Sequence, residues 1–235
     1  MDFNLTDIQQ DFLKLAHDFG EKKLAPTITE RDHKGIYDKD LIDELLSLGI
    51  TGAYFEEKYG GSGDDGGDVL SYILAVEELA KYDAGVAITL SATVSLCANP
   101  IWQFGTEAQK EKFLVPLVEG TKLGAFGLTE PNAGTDASGQ QTVAVKNDDG
   151  TYTLNGSKIF ITNGGAADIY IIFAMTDKSK GNHGITAFIL EDGMPGFKKT
   201  RWASILRRPW NSYSRTSKFR LKTCSAKKAK ASRSL

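Results

Sequence analysis

The chain has 235 residues, of which 41% are hydrophobic and 25% are charged, as is usual for a globular protein of one or two domains. It contains no run of about 18 apolar residues and no basic, apolar leader, so the sequence favours a cytoplasmic protein over a secreted or membrane protein. Two distant cysteines and three scattered histidines indicate neither a disulfide framework nor a metal site, and Cys97 is predicted to be a core residue.

Residues 1–120 are predicted to form an all-α N-terminal domain. Thr6 and Gln9 have the spacing of a capping box before a helix whose apolar residues recur every three or four positions. That apolar face consists of Leu5, Ile8, Phe12, Leu15 and Phe19. Further helices are expected over 40–49, 68–82, 84–104 and 106–117. Asp40 is the expected N-cap of the 40–49 helix, and the 84–104 helix is apolar enough to be buried on most sides.

From Leu123 onward the pattern changes to short apolar runs separated by Gly, Asn and Asp. These runs predict strands over 123–128, 142–146, 151–154, 158–161, 169–174 and 185–190. A hairpin turn is expected at 147–150, which reads Asn-Asp-Asp-Gly. Because helices come first and strands follow, the chain is predicted to be an α+β protein with a middle β domain over 121–197.

A glycine-rich segment of the helical domain imitates a dinucleotide-binding motif. Gly61, Gly63 and Gly66 satisfy GxGxxG, but two aspartates lie where a pyrophosphate would bind, and no convincing ribose ligand follows. The segment is therefore interpreted as a loop between helices.

The most informative segment lies at the start of the β domain. Residues 127–139 read GLTEPNAGTDASG, and after the hairpin residues 156–165 read GSKIFITNGG. Together they resemble the acyl-CoA dehydrogenases, the flavoproteins that desaturate acyl thioesters, and most of all the bacterial short-chain, butyryl-CoA type. The resemblance extends from Met1 to about Phe197. It implies that the middle domain is β-barrel-like but cut short, and that the family's C-terminal helical bundle is missing from this sequence.

The resemblance implies FAD as the cofactor. The implied cofactor-binding residues are Phe126, Gly127, Leu128, Thr129, Glu130, Pro131, Asn132, Ala133, Gly134, Thr135, Phe160, Ile161 and Thr162. Leu128 and Thr129 would face the polar edge of the flavin, Phe160 would pack against its ring, and Thr135 would also contact the acyl-CoA substrate. Phe160 and Ile161 could equally be core residues of a strand.

No catalytic residue is assigned, because the family carries its catalytic glutamate in the C-terminal bundle. The expected function is thus an acyl-CoA dehydrogenase in a truncated, inactive form. Its parent would be a homotetramer that passes electrons to an electron-transferring flavoprotein. The alternative is a non-catalytic remnant or interaction module.

Two carboxylates in the first motif, Glu130 and Asp136, could form an acid and base pair. Carboxylates in glycine-rich loops more often accept hydrogen bonds from backbone N–H groups, and this structural role is the favoured interpretation.

The last 38 residues differ in kind from the rest. Residues 198–235 contain 13 basic residues and no acidic one, whereas all 30 acidic residues precede them. Around Trp202 and Trp210, synonymous codons permit family-like sequence in an overlapping frame. Residues 198–235 are therefore predicted to be an aberrant tail, out of frame or disordered. A basic arm that binds nucleic acid or another polyanion is the alternative, although nucleic acid is not an expected partner.

Overall fold

The structure is a computed structural model that describes residues 4–64, 66–201 and 217–226. It divides into two compact units. The first contains the described residues up to Val94 together with Leu114–Lys122, and the second contains Ser95–Phe113 and the described residues 123–201 and 217–226. The fold class is confirmed: helices form the first part of the chain and a mixed sheet follows.

The α-helices are α1 (Asp7–Phe19), α2 (Ile28–Lys34), α3 (Lys39–Leu46), α4 (Val69–Tyr82), α5 (Ala84–Ser91), α6 (Asn99–Phe104), α7 (Glu107–Gln109) and α8 (Val115–Val118). Segments of π-helix at Gly20–Leu24, Ala92–Ala98 and Lys110–Leu114 continue α1, α5 and α7. Short 3-10 helices lie at Ile50–Gly52, Glu57–Tyr59, Ala137–Gly139 and Lys178–Gly184.

Local capping chemistry sets the first helix as predicted. The Thr6 hydroxyl accepts a hydrogen bond from Gln9 N at 3.2 Å, and the Gln9 side chain accepts one from Thr6 N at 3.0 Å. The predicted N-cap of α3 was wrong: Asp38, not Asp40, caps this helix by accepting a hydrogen bond from Leu41 N at 3.1 Å. Either aspartate suits a cap by type, so the sequence alone did not separate them.

Helix α2, which the sequence pattern did not predict, places a buried arginine in the first compact unit, which is called the helical unit below. The Arg31 Nη1 donates to Asp83 Oδ2 at 2.9 Å, and the two side chains are 3% and 2% exposed. Arg31 Nε also donates to the Thr27 hydroxyl at 2.9 Å. The other Asp83 oxygen accepts hydrogen bonds from Gly85 N and Val86 N, so one carboxylate both neutralises a buried cation and caps α5.

The segment Ala84–Phe104 is long and apolar enough to cross a membrane by composition, with a mean hydropathy of 1.5. However, 61% of its most apolar window is buried inside the protein. This is typical of a core helix, as predicted, and is only weak support for a membrane span. Cys97 lies on this segment and is fully buried, which confirms its core role and raises the pKa of its thiol to about 12.

The glycine-rich segment 61–66, which matches GxGxxG, is a packed connection between the 3-10 helix Glu57–Tyr59 and α4. Gly61 N donates to Glu56 O and Gly63 N donates to Phe55 O, so these amides bond within the domain. A Cβ on Gly61 would lie only 2.1 Å from Phe55 O. The glycines are therefore required by close backbone packing, which confirms the interpretation of this segment as a loop.

The strands are β1 (Gly124–Gly127), β2 (Val143–Lys146), β3 (Tyr152–Ile161), β4 (Ile169–Met175), β5 (Ile185–Glu191), β6 (Phe197–Arg201) and β7 (Ser217–Ala226). The pair β1 and β4 is parallel, whereas β2 with β3, β4 with β5, β3 with β7 and β6 with β7 are antiparallel. The turn between β2 and β3 confirms the predicted hairpin, and Gly150 there has a φ of 80°.

Two predicted strands, 151–154 and 158–161, form the single strand β3. Gly156, which suggested a break between them, lies within the strand against Thr142, where a Cβ would come within 2.2 Å of the Thr142 hydroxyl. The backbone of β6 and β7 extends the sheet into the segment predicted to be an aberrant tail. The other residues of that tail lie outside the described residues.

Candidate functional site

The two motif segments meet where β1 leaves the sheet and β3 ends. Ile159 N donates to Thr129 O at 2.9 Å, and this hydrogen bond joins the loop after β1 to the last residues of β3. Asn163 Nδ2 donates to Gly124 O at 2.9 Å and ties the turn after β3 to the start of β1. A Cβ on Gly127 would lie 3.5 Å from Lys158 Cγ, so Gly127 of the first segment lies beside the Lys158 side chain of the second. Segments separated by a hairpin in sequence are thus adjacent in space.

A tight turn follows at the centre of the first motif. Glu130 N donates to Ala133 O at 3.0 Å, and Ala133 N donates to Glu130 O at 3.2 Å. Glu130 and Ala133 are buried, while Pro131 and Asn132 between them are exposed. The turn therefore presents its tip to solvent and anchors both of its ends.

Both carboxylates of the first motif serve the loop itself, which confirms the favoured interpretation. Glu130 is 5% exposed and accepts hydrogen bonds from Gln141 N at 2.6 Å and from Thr142 N at 3.0 Å. Asp136 accepts a hydrogen bond from Ser138 N at 3.1 Å and caps the short 3-10 helix that ends the loop. Neither geometry is that of a free acid and base pair.

Lys158 is the buried charge of this region, and its side chain is 0% exposed. Its ammonium donates to Leu128 O at 2.9 Å, to Glu130 Oε1 at 2.8 Å and to Gln140 Oε1 at 3.0 Å. Burial lowers the pKa of Lys158, against the effect of the hydrogen bond to Glu130. Burial alone would raise the pKa of Glu130, but the hydrogen bonds from Lys158, Thr142 and Gln141 lower it overall. The ammonium has three N–H donors, and each has an acceptor within 3.0 Å.

Groups able to meet a ligand lie beside this buried cluster. Within the part of the chain that the structure describes, the hydroxyls of Thr129, Thr135 and Thr162 donate to no other residue. The Phe160 ring is 56% exposed, whereas Ile161 is 1% exposed. Of the two, only Ile161 is therefore a core residue.

The backbone at Phe160 is unusual, because its φ is 57°. Left-handed backbone is unfavourable for a bulky residue, and such strain concentrates at functional sites. Here it accompanies an irregularity in the pairing of β3 with β7 between Lys158 and Ile161, and it leaves the Phe160 ring outside the core.

The left-handed backbone at Phe160 predicts that glycine is more stabilising than alanine at this position, the reverse of their order in ordinary strands. In ordinary strands alanine is more stabilising than glycine, but at a left-handed position glycine avoids a penalty of about 1 kcal/mol. We therefore expect Phe160→Gly to have a higher free energy of unfolding than Phe160→Ala, by about 1 kcal/mol. Urea denaturation of both variants measures the difference, and a more stable Phe160→Ala would contradict left-handed backbone at this position.

The remaining sequence-predicted residues occupy different parts of the same region. Phe126 packs on Phe173 with ring centroids 5.1 Å apart, and Gly127 is buried, whereas Gly134 and Thr135 are exposed. Lys158, Gln140 and Asn163 were not among the residues predicted for the site, although all three support its loops. A lysine before the apolar run Ile159-Phe160-Ile161 was the available signal for Lys158.

Comparison with known proteins decides the family. The model of the acyl-CoA dehydrogenase N-terminal domain matches residues 6–121, and that of the acyl-CoA dehydrogenase middle domain matches residues 125–212. The chain belongs to the acyl-CoA dehydrogenase family. It is 97% identical over 197 residues to the short-chain specific acyl-CoA dehydrogenase of Megasphaera elsdenii, a match that covers 84% of this chain and 51% of the relative.

Solved structures of similar proteins share the fold. Butyryl-CoA dehydrogenase from Megasphaera elsdenii superposes with a TM-score of 0.92 at 84% identity, over 96% of this chain and 58% of that chain. The FAD complex of PigA superposes with a TM-score of 0.87 at 31% identity, over 98% of this chain and 59% of that chain. This acyl-CoA dehydrogenase chain therefore spans about half the length of the relatives it matches.

Proposed function

We propose that this chain carries the N-terminal and flavin-binding part of an FAD-dependent short-chain acyl-CoA dehydrogenase. The parent enzyme would desaturate an acyl-CoA between its α and β carbons. The observation that carries the proposal is the hydrogen bond from Ile159 N to Thr129 O, because it joins the two motif segments at the exposed Phe160 ring. The named activity of the 97% identical relative supports it.

The exposed groups at the place where the two motif segments meet fit a flavin. Hydroxyl and amide donors suit the polar edge of an isoalloxazine, and an aromatic ring suits its face. In this proposal Leu128 and Thr129 bind the polar edge, Phe160 and Thr162 lie beside the ring, and Gly134 and Thr135 face the pyrophosphate. FAD supplies the hydride acceptor when bound.

The buried residues Lys158 and Glu130, which lie where the two motif segments meet, have a different role in this proposal. Lys158 and Glu130 compensate each other's charge inside the protein, so the donors beside them face the ligand without an additional exposed charge. Thr135 lies on the exposed side of the loop, where it can contact the incoming acyl-CoA as well. The acyl-CoA α-proton requires a base, and we assign that base to the part of the relatives that lies beyond this chain.

We propose three further properties of the parent enzyme: a cytoplasmic location, a homotetrameric assembly and electron transfer to an electron-transferring flavoprotein. We further propose domains at 1–120 and 121–197, followed by an out-of-frame tail at 198–235. The 197-residue length of the match to the Megasphaera elsdenii relative supports this last boundary. An uninterrupted family reading frame in the DNA across codon 197 would contradict an out-of-frame origin.

Titration of the flavin-free chain with FAD tests the proposed function. We expect saturable but weak binding, because in this proposal part of the adenine-side contacts comes from a neighbouring subunit's C-terminal domain. Phe160→Ala should weaken the affinity about fivefold, as expected for the loss of about 1 kcal/mol of aromatic contact. Flavin fluorescence quenching measures the dissociation constants.

Val145→Ala is the matched control, since Val145 is also an exposed apolar strand residue but lies on β2 outside the motif segments. It should leave the FAD affinity unchanged. A wild-type chain that shows no saturation up to about 1 mM FAD, or equal affinity of wild type and Phe160→Ala, would contradict the proposal.

A further inference from the structure

The loop from Leu128 to Thr142 contributes few buried side chains of its own. Pro131, Asn132, Gly134 and Thr135 are exposed, and an exposed segment cannot fix its conformation by apolar packing. Ala133 is the buried apolar side chain between Glu130 and Asp136. The shape of this loop therefore depends mainly on polar contacts at its two ends.

One side chain connects these ends. The Lys158 ammonium donates to Leu128 O and Glu130 Oε1 at the beginning of the loop and to Gln140 Oε1 at its end. Glu130 extends the connection, because its carboxylate accepts hydrogen bonds from Gln141 N and Thr142 N. The backbone N–H of Ile159, next to Lys158, donates to Thr129 O. Both ends of the loop are thus bound to the same short part of β3.

The buried ion pair of Lys158 and Glu130 is not needed for the stability of the fold. A buried ion pair often contributes no more stability than apolar side chains of similar volume, because the desolvation of both charges offsets their attraction. Its hydrogen bonds are directional, however, and an ammonium surrounded by fixed acceptors admits few alternative loop arrangements. The three acceptors of Lys158 therefore favour a role in positioning.

We propose that Lys158 is a positioning residue: its buried ammonium holds both ends of the 128–142 loop on β3 and so sets the loop shape that the candidate flavin site requires. The consequence for flavin rests on the function proposed above. The consequence for the loop concerns this chain alone.

Amide hydrogen exchange of the purified 235-residue chain, measured by NMR, tests the effect on the loop. In Lys158→Met we expect the Gln141, Thr142 and Ile159 amides to exchange at least about tenfold faster than in the wild type. Amides in the pairing of β4 with β5, such as those of Phe173 and Ala187, should change far less. Lys146→Met is the matched control, because Lys146 is an exposed lysine on β2 and its replacement should change none of these rates.

A double variant separates positioning from stability. Glu130→Gln/Lys158→Met leaves no unpaired buried charge, so its melting temperature should recover towards that of the wild type. If Lys158 positions the loop, the three amides should still exchange at least about fivefold faster than in the wild type. Recovery of wild-type exchange together with the melting temperature would overturn the proposal, and so would unchanged exchange in Lys158→Met.

FAD titration of the same variants distinguishes this inference from the proposed function. We expect the affinity to fall at least about fivefold in Lys158→Met and to stay low in the double variant. If the wild-type chain binds no FAD, the proposed function fails, while the exchange rates still decide whether Lys158 holds the loop. If FAD binds and its affinity is unaffected by Lys158→Met, the positioning role is overturned.

Discussion

Replacing Asp83 with alanine should lower the free energy of unfolding of the helical unit by about 3–5 kcal/mol. The substitution removes the carboxylate that accepts a hydrogen bond from the Arg31 guanidinium, which is 3% exposed. It also removes the side-chain acceptor of Gly85 N and Val86 N at the first turn of α5. Both losses act in the same direction, so the effect should be among the largest for a single substitution in this unit.

Thermal and urea denaturation followed by circular dichroism at helical wavelengths measure this change. The double variant Arg31→Met/Asp83→Ala should be more stable than Asp83→Ala, because it removes the buried cation together with its carboxylate. Asp18→Asn is the control: Asp18 forms exposed ion pairs with Lys14 and Lys22, and its replacement should scarcely change the melting temperature. A similar loss in Asp18→Asn and Asp83→Ala would contradict the importance of burial.

The sequence predicted those parts of the fold that depend on neighbouring residues. The capping box at Thr6 requires only residues three positions apart, and it is present in the structure. The hairpin at 147–150 is similarly local and is also confirmed. Helix α2 was missed, because Arg31 looks like a surface residue until its partner Asp83, 52 residues away, is known.

The same distinction applies to the candidate site. The two motif segments could be recognised from sequence, and their resemblance to the acyl-CoA dehydrogenases implied FAD as the ligand. The role of Lys158 could not be predicted, because it depends on three acceptors that are 18 to 30 residues away in sequence. The left-handed backbone of Phe160 was equally hidden, since the residue type favours an ordinary strand.

Substituting Gly61 with alanine distinguishes a structural glycine from a ligand-binding one. The added Cβ would lie 2.1 Å from Phe55 O and 2.5 Å from Phe55 C, and both are backbone atoms that cannot move independently of the chain. We expect Gly61→Ala to lower the free energy of unfolding of the helical unit by about 1–3 kcal/mol or more, as overpacking does.

Gly134→Ala is the matched control for stability, because a Cβ at Gly134 would meet nothing within 4 Å. Its melting temperature should equal that of the wild type, while that of Gly61→Ala should fall by several degrees, as about 1–3 kcal/mol implies for a domain of this size. If the GxGxxG segment were a phosphate site, Gly61→Ala would instead keep its stability and lose affinity for a dinucleotide. Loss of stability with FAD affinity retained in the folded fraction would show that Gly61 serves packing, and that the glycines relevant to the flavin lie in the 127–139 motif.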